Sequence, residues 1–186
     1  KGGLEFENTA PLPSKLQNSS QADDIQTYLS LIQYSDEALR ELIEHYKSID
    51  EPTMIVFFGD HQPSFASELV KTYYPDKTTQ EQRLIGSATP FIIWTNYDSP
   101  SEEDIVVSPS ILGSMVAQQA GFDLPALPNL IMSRIYPKIS VAHEAGVVSR
   151  ENGTIYDIDH LPEDLQTEWD KWQKLCYYYL FDFQTQ

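Results

Sequence analysis

At the end of the apolar run Thr53-Met54-Ile55-Val56-Phe57-Phe58 the chain reads Gly59-Asp60-His61-Gln62-Pro63. A carboxylate and an imidazole side by side offer an oxygen and a nitrogen donor, a pairing that suits zinc, manganese or a similar divalent ion. Inside a strand, adjacent side chains point to opposite faces, so Asp60 and His61 could not share a target there. Past the strand end, with Gly59 permitting an unusual turn, both can converge. Two ligands fall short of a site, because tetrahedral zinc takes three or four from the protein. From residue types alone the pair reads either as two metal ligands or as a structural pair within a loop.

The remaining chemistry-bearing residues compete weakly. His45 falls off the apolar stripe of its helix and reads as solvated. His143 sits in Val141-Ala142-His143-Glu144, read as loop before a hairpin. Asp157-Ile158-Asp159-His160 has donors at tight spacing but directly precedes a helix, where capping by Asp159 explains it. Asp36 lies on an apolar stripe, where a carboxylate must find hydrogen-bond partners or stay protonated; it reads as holding backbone amides or a nearby loop in preference to a catalytic role. The one cysteine, Cys176, falls in an aromatic helical segment and reads as a small buried hydrophobe, with neither a neighbouring cation nor a helix N-terminus to activate it. There is no Ser/His/Asp order, phosphate-cradling glycine loop or CxxC pair.

The elements that would position Asp60 and His61 follow from periodicity. Residues 1–22, with Pro11, Pro13 and several serines, read as an irregular lead-in. From Asp23, Ile25, Tyr28, Leu29, Ile32, Leu39, Leu42, Ile43 and Tyr46 recur at helical spacing and stop before Asp50-Glu51-Pro52. Residues 53–58 read as a strand buried on both faces, as in a parallel sheet. A second helix covers Phe65, Leu69, Val70 and Tyr73, and residues 76–88 read as polar loop. Residues 90–96 give a second buried strand. Ser108-Pro109 marks a helix start, with Ser as N-cap and Pro at the first helical position. Leu127, Leu130, Ile131 and Ile135 form another helix, and Asn152-Gly153 marks a hairpin. A last helix from Pro162 carries Leu165, Trp169, Trp172, Cys176, Tyr179 and Phe183 on one stripe. The expected class is α/β, a mainly parallel sheet flanked by helices with a small antiparallel C-terminal hairpin.

Composition bounds the function. The 186 residues carry 12 Lys and Arg against 28 Asp and Glu, a formal charge of −16. That sign opposes nucleic acid or an anionic membrane surface as the main partner. With 41% hydrophobic and 12% aromatic residues the chain is nonetheless a folding one, not an acidic disordered tail. No apolar run approaches the ~20 residues that span a bilayer. The opening Lys1-Gly2-Gly3-Leu4-Glu5 resembles no signal segment, and with only two central strands for a sheet the chain reads as a piece of a longer protein. Acidic clusters such as Ser101-Glu102-Glu103-Asp104 also allow a different class, a non-catalytic module binding a partner or calcium, or else plain solvated surface.

Several stretches together resemble the sulfatase-like, lipoteichoic-acid-synthase-like branch of the alkaline phosphatase superfamily, which includes phosphoglycerol transferases. They are Tyr34-Ser35-Asp36-Glu37-Ala38-Leu39 leading to Met54-Ile55-Val56-Phe57-Phe58-Gly59-Asp60-His61, then Thr89-Pro90-Phe91-Ile92-Ile93-Trp94 and Ser108-Pro109-Ser110-Ile111-Leu112. Ala120-Gly121-Phe122-Asp123-Leu124-Pro125, Tyr136-Pro137-Lys138-Ile139-Ser140 and the aromatic closing helix extend the likeness over about residues 25–183. The resemblance implies that residues 23–186 are the C-terminal portion of such a catalytic domain, with Asp60 and His61 helping to hold a catalytic manganese or zinc ion. The family's nucleophile, other metal ligands and substrate-binding His lie far upstream of this motif, and no residue here matches them, so no catalytic residue is assigned. Gln62-Pro63-Ser64 departs from the family's common "GDHyG" ending, and Ile139-Ser140-Val141-Ala142-His143 from its "isaNGy"-like tail, so Ser64 and His143 receive no role.

On this likeness the parent enzyme is membrane-anchored in the bacterial cell envelope, working outside the cell membrane on anionic lipid headgroups or glycans. Its partners would be the upstream half of its own domain and a phosphate- or sulfate-ester substrate. Without that half, the soluble fragment is expected to be inactive. The alternatives on the same fold are a phosphatase, a phosphodiesterase or a sulfatase.

Overall fold

The computed structural model describes residues 7–182; Lys1–Glu5 and Phe183 of the closing stripe lie outside that range, as does the Tyr179 side chain. The chain forms two compact units. One comprises residues up to Asp76 with Ala88–Tyr97, the other Lys77–Ser87 with Asp98 onward.

In the first unit, helix α1 runs Ala22–Lys47, with Asp23 and Asp24 in its first turn and His45 and Lys47 in its last, which complements the helix dipole at both ends. Ile25 is buried with Leu16 and Phe65, and Tyr28, Leu29 and Leu69 pack on that cluster. Among its described residues the lead-in has little regular structure beyond one 3₁₀ turn, Ser14–Leu16, yet it is pinned to α1. The buried Ser30 hydroxyl accepts from Ala10 N (3.1 Å) and donates to Gln26 O (2.9 Å), while Gln26 Nε2 donates to Ala10 O (3.1 Å). Further along α1 the apolar stripe is only partly covered: Leu39 is buried, whereas Ile32 and Leu42 are exposed. Asp36 is exposed as well, so the expected buried carboxylate is corrected; periodicity places it on the stripe but does not say which of its positions are covered.

Strand β1, Met54–Phe58, and strand β2, Phe91–Thr95, form a two-stranded antiparallel ribbon with Phe58 opposite Phe91 and Met54 opposite Thr95. The α/β class holds, but parallel pairing does not: every strand pairing among the described residues is antiparallel. A continuous apolar run reports apolar surroundings on both faces and carries no information on strand direction. Nor are both faces buried, since Phe57, Phe58 and Ile92 are exposed. Asn96 joins the helix end to the ribbon. Its Nδ2 lies 3.2, 3.1 and 2.9 Å from the carbonyl oxygens of Tyr46, Ile49 and Glu51, and its Oδ1 accepts from Thr53 N at 2.8 Å. Helix α2 follows β1 at Ala66–Tyr73.

In the second unit, residues expected as loop form helix α3, Thr79–Ser87. The helix is signalled by a capping box: Thr78 Oγ1 accepts from Glu81 N (3.2 Å), and Glu81 Oε2 accepts from Thr78 N (2.8 Å). Helix α4, Pro109–Gln119, starts after Ser108 as expected, but Ser108 does not cap it. Its hydroxyl instead accepts from Ala142 N (2.7 Å) and donates to Ala142 O (3.1 Å). Helix α5, Ala126–Leu130, continues into a π-helical turn, Ile131–Ile135. Strands β3 (Ile139–His143), β4 (Gly146–Ser149) and β5 (Ile155–Tyr156) form an antiparallel sheet in that order. The β4–β5 turn is the expected Asn152-Gly153, with Gly153 at φ +70°, a conformation glycine adopts without strain. Strand β3 occupies residues expected as loop.

Helix α6, Glu163–Tyr177, continues in a π-helical turn to Asp182. Its stripe is buried as expected at Leu165 and Trp172, and Trp169 and Cys176 pack beside them on a cluster built of Ile111, Ile131, Ile135, Ile139 and Val147. No helix among the described residues is long and apolar enough to cross a membrane.

Candidate metal-ligand turn at the end of β1

The turn after β1 is shaped by what holds Gly59. Its N–H donates to Pro90 O (3.0 Å), the continuation of the β1–β2 ladder, and its carbonyl accepts from Thr89 Oγ1 (2.8 Å). Gly59 is not among the residues with positive φ, which corrects the expectation that it permits an unusual turn. Its requirement is space: a Cβ there would sit 3.0 Å from Thr89 Cβ and 3.3 Å from Thr89 Cγ2. Farther along, the Gln62 side-chain amide donates to Ala88 O.

Beyond Gly59 the two polar side chains do converge. Asp60 Oδ1 accepts from His61 N at 2.8 Å, and Asp60 Oδ2 lies 3.4 Å from His61 Nε2. His61 Nδ1 is 3.1 Å from Gln62 O. With the proton on Nδ1 donated to that carbonyl, Nε2 presents its lone pair toward the Asp60 carboxylate. Two electron-rich atoms at that separation repel unless a proton or a cation is shared between them. A backbone carbonyl orienting the far ring nitrogen is also the usual support of a metal-bound imidazole. Both side chains are about 80% exposed, so a cation could reach them. The donor set therefore fits a divalent ion in kind and is short in number: among the described residues no group of three or more His, Cys, Asp or Glu converges.

The other candidates take structural places. His45 is exposed, with its ring edge-on to Tyr46. His143 stands on β3, not in a loop, and its Nδ1 accepts from Ala145 N at 3.0 Å within the β3–β4 turn. Asp157, rather than Asp159, does the capping: its Oδ1 accepts from Asp159 N (3.0 Å) at a 3₁₀ turn, Ile158–His160. His160 is exposed. Burial raises the Cys176 thiol pKa, which suits a packing residue and not a nucleophile. Glu102 does not join an acidic ion site. It binds Arg150 Nη2 (3.1 Å) and the Tyr136 hydroxyl (3.1 Å), and the Arg150 bond holds its pKa below the ordinary carboxylate value.

These features give a chain of helices and small antiparallel sheets that carries an Asp-His pair on the turn after a strand. Comparison with known proteins supplies the family. The family model described as Sulfatase matches residues 6–122, and the chain belongs to the sulfatase family. Among solved structures, the fold is similar to that of Streptococcus pyogenes phosphoglycerol transferase GacH, determined in complex with sn-glycerol-1-phosphate. The TM-score is 0.55 at 15% identity, over 92% of this chain and 41% of that one. A Rhizobium meliloti (strain 1021) protein named for cyclic beta-1,2-glucan modification is 28% identical over 133 residues, 68% of this chain and 20% of that protein. The capsular polysaccharide biosynthesis protein RkpI of the same organism is 36% identical over 58 residues, 30% of this chain and 10% of RkpI. The chain thus spans a fifth or less of the length of these curated relatives.

Proposed function

We propose that residues 23–186 are the C-terminal, metal-ligand portion of a divalent-metal-dependent transferase of the sulfatase family, moving phosphoglycerol or phosphoethanolamine onto glycans or anionic lipid headgroups. Asp60 and His61 supply two ligands to a manganese or zinc ion, and the upstream part of the same catalytic domain supplies the nucleophile and the remaining ligands. The observation that carries this reading is the exposed Asp60–His61 pair, side by side after β1, inside the segment matched by the family. The likeness of fold to a phosphoglycerol transferase supports the choice of transfer over hydrolysis.

When bound, such an ion offsets charge developing on the non-bridging oxygens of a phosphoryl or sulfuryl group. Asp60 would contribute an anionic oxygen to hold the ion, whose positive charge would offset locally the sign that a net charge of −16 presents to an anionic substrate. His61 contributes Nε2, oriented by the Gln62 carbonyl at Nδ1. By itself this chain holds two of the ion's ligands and performs no transfer. The complete enzyme works outside the cell membrane in the bacterial envelope.

The test is turnover of a phosphodiester and of a sulfate ester by the complete enzyme, with manganese or zinc supplied. The expected outcome is metal-dependent transfer that drops by at least about a hundredfold in Asp60→Ala, with lower metal content. Unchanged activity and metal content in Asp60→Ala would sink the reading; hydrolysis without transfer would redirect it to a phosphatase, phosphodiesterase or sulfatase.

A further inference from the structure

The turn that carries Asp60 and His61 is held at both ends by one short strap, Ala88-Thr89-Pro90, which leads into β2. At the near end Pro90 O and Thr89 Oγ1 grip the N–H and carbonyl of Gly59, at 3.0 and 2.8 Å. The gripped carbonyl belongs to the peptide unit joining Gly59 to Asp60, so fixing its plane fixes the direction in which Asp60 leaves the strand. At the far end Gln62 bonds to Ala88 O through its side chain, and its own carbonyl faces His61 Nδ1 at 3.1 Å. The strap therefore acts on both candidate ligands through their neighbours, Gly59 and Gln62.

We propose that Thr89 is a positioning residue for the Asp60–His61 pair. Its hydroxyl orients the Gly59–Asp60 peptide, and its Cβ sets how closely the strap approaches the turn. Three features make Thr suited to this place. It is β-branched, so its χ1 is restricted and the hydroxyl stays aimed. It donates a hydrogen bond, which Val of nearly the same shape cannot. Its Cβ lies where a side chain on residue 59 would begin, 3.0 Å away; a Cβ is fixed by the backbone and cannot rotate aside, so glycine at 59 and threonine at 89 are coupled choices. The departure from the family's common ending at Gln62 also acquires a use, since Gln62 ties the turn to the same strap. This inference rests on the metal-ligand reading above.

The experiment is a manganese titration of the 186-residue chain, followed by paramagnetic broadening of the His61 ring signals, with the exposed His45 and His160 as internal references. Amide exchange at Gly59 and His61 is measured alongside. Thr89→Val is expected to raise the manganese concentration for half-broadening of His61 roughly tenfold, as lost outer-shell support typically does, and to speed Gly59 and His61 exchange. Thr89→Ser should restore both, and exchange in β3 and β4 should be unchanged in each variant. Wild-type midpoints and exchange rates in Thr89→Val overturn the positioning role. If His61 in the unmutated chain broadens no earlier than His45 and His160, the pair does not bind the ion by itself and the ligand-positioning role in this chain fails, whereas the metal reading of the complete enzyme stands or falls with the activity and metal content of Asp60→Ala. Should Thr89→Val not fold, Gln62→Ala cuts the strap's other hold and is expected to raise the His61 midpoint in the same direction; no rise counts against the proposal.

Discussion

Glu81 shows how one carboxylate can secure a helix start. It accepts from Lys77 Nζ (2.8 Å), from Thr78 N (2.8 Å) and from the Thr78 hydroxyl (2.9 Å). These bonds, the Lys77 contact first, lower its pKa from 4.5 to about 2. A group whose folded pKa is depressed contributes stability above its ordinary value and loses it as pH falls toward the folded one. The Glu81 carboxyl carbon resonance should therefore titrate with a midpoint of about 2, and the α3 amides should lose exchange protection across the interval from 4.5 down to that value. A midpoint in the ordinary carboxylate range would contradict the capping box. Glu168 is anchored by the same physics at a buried position: Lys171 Nζ lies 2.9 Å from its Oε1, and that hydrogen bond keeps the carboxylate ionised although burial opposes it.

At the scale of elements, α6 contributes more to its unit than its polar first turn suggests. Trp172 is buried among Ile111, Ile135 and Leu165, and its ring meets Trp169 edge-to-face at 5.7 Å between centroids. Trp172→Ala should cost about 3–5 kcal/mol, the usual range for emptying a large aromatic site, read as a fall in the denaturant midpoint with an unchanged slope. A change below about 1 kcal/mol would mean that the stripe is not a core face. This stripe was legible as period-3.6 apolar spacing. Helix α3 was not, because Thr79–Ser87 has few apolar residues and declares itself only through Thr78 and Glu81. Strand β3 was not legible because Ile139–His143, with Ser140 and His143 in it, is no continuous apolar run such as Met54–Phe58. The Asn152-Gly153 turn was legible because few local structures other than a tight hairpin tolerate that dipeptide between apolar runs.

Across the whole molecule, the two units are built on unequal cores. The first has a small cluster around Leu16, Ile25 and Phe65, with a two-stranded ribbon whose Phe57, Phe58 and Ile92 are exposed. The second has a contiguous core from Ile111 to Trp172. Isolated two-stranded ribbons are marginal in water. Amides of β1 and β2 should exchange faster than those of β3 and β4 by about tenfold or more, since local opening free energy follows buried apolar contact. Equal protection in both units would refute this ordering.

What the amino-acid sequence determined by itself is local. The α1 register, the strand that ends at Gly59, the hairpin at Asn152-Gly153 and the α6 face all follow from spacing within a few residues, and so does the adjacency of Asp60 and His61. Tertiary structure alone decided the direction of β2 against β1, the exposure of Asp36, the use of Ser108 to bind β3, and the strap that brings Thr89 to Gly59 across thirty residues. The physical reason is that periodicity records which side of an element is apolar. Strand direction and hydrogen-bond partners distant in the chain depend on where each connection returns, and no local pattern encodes that.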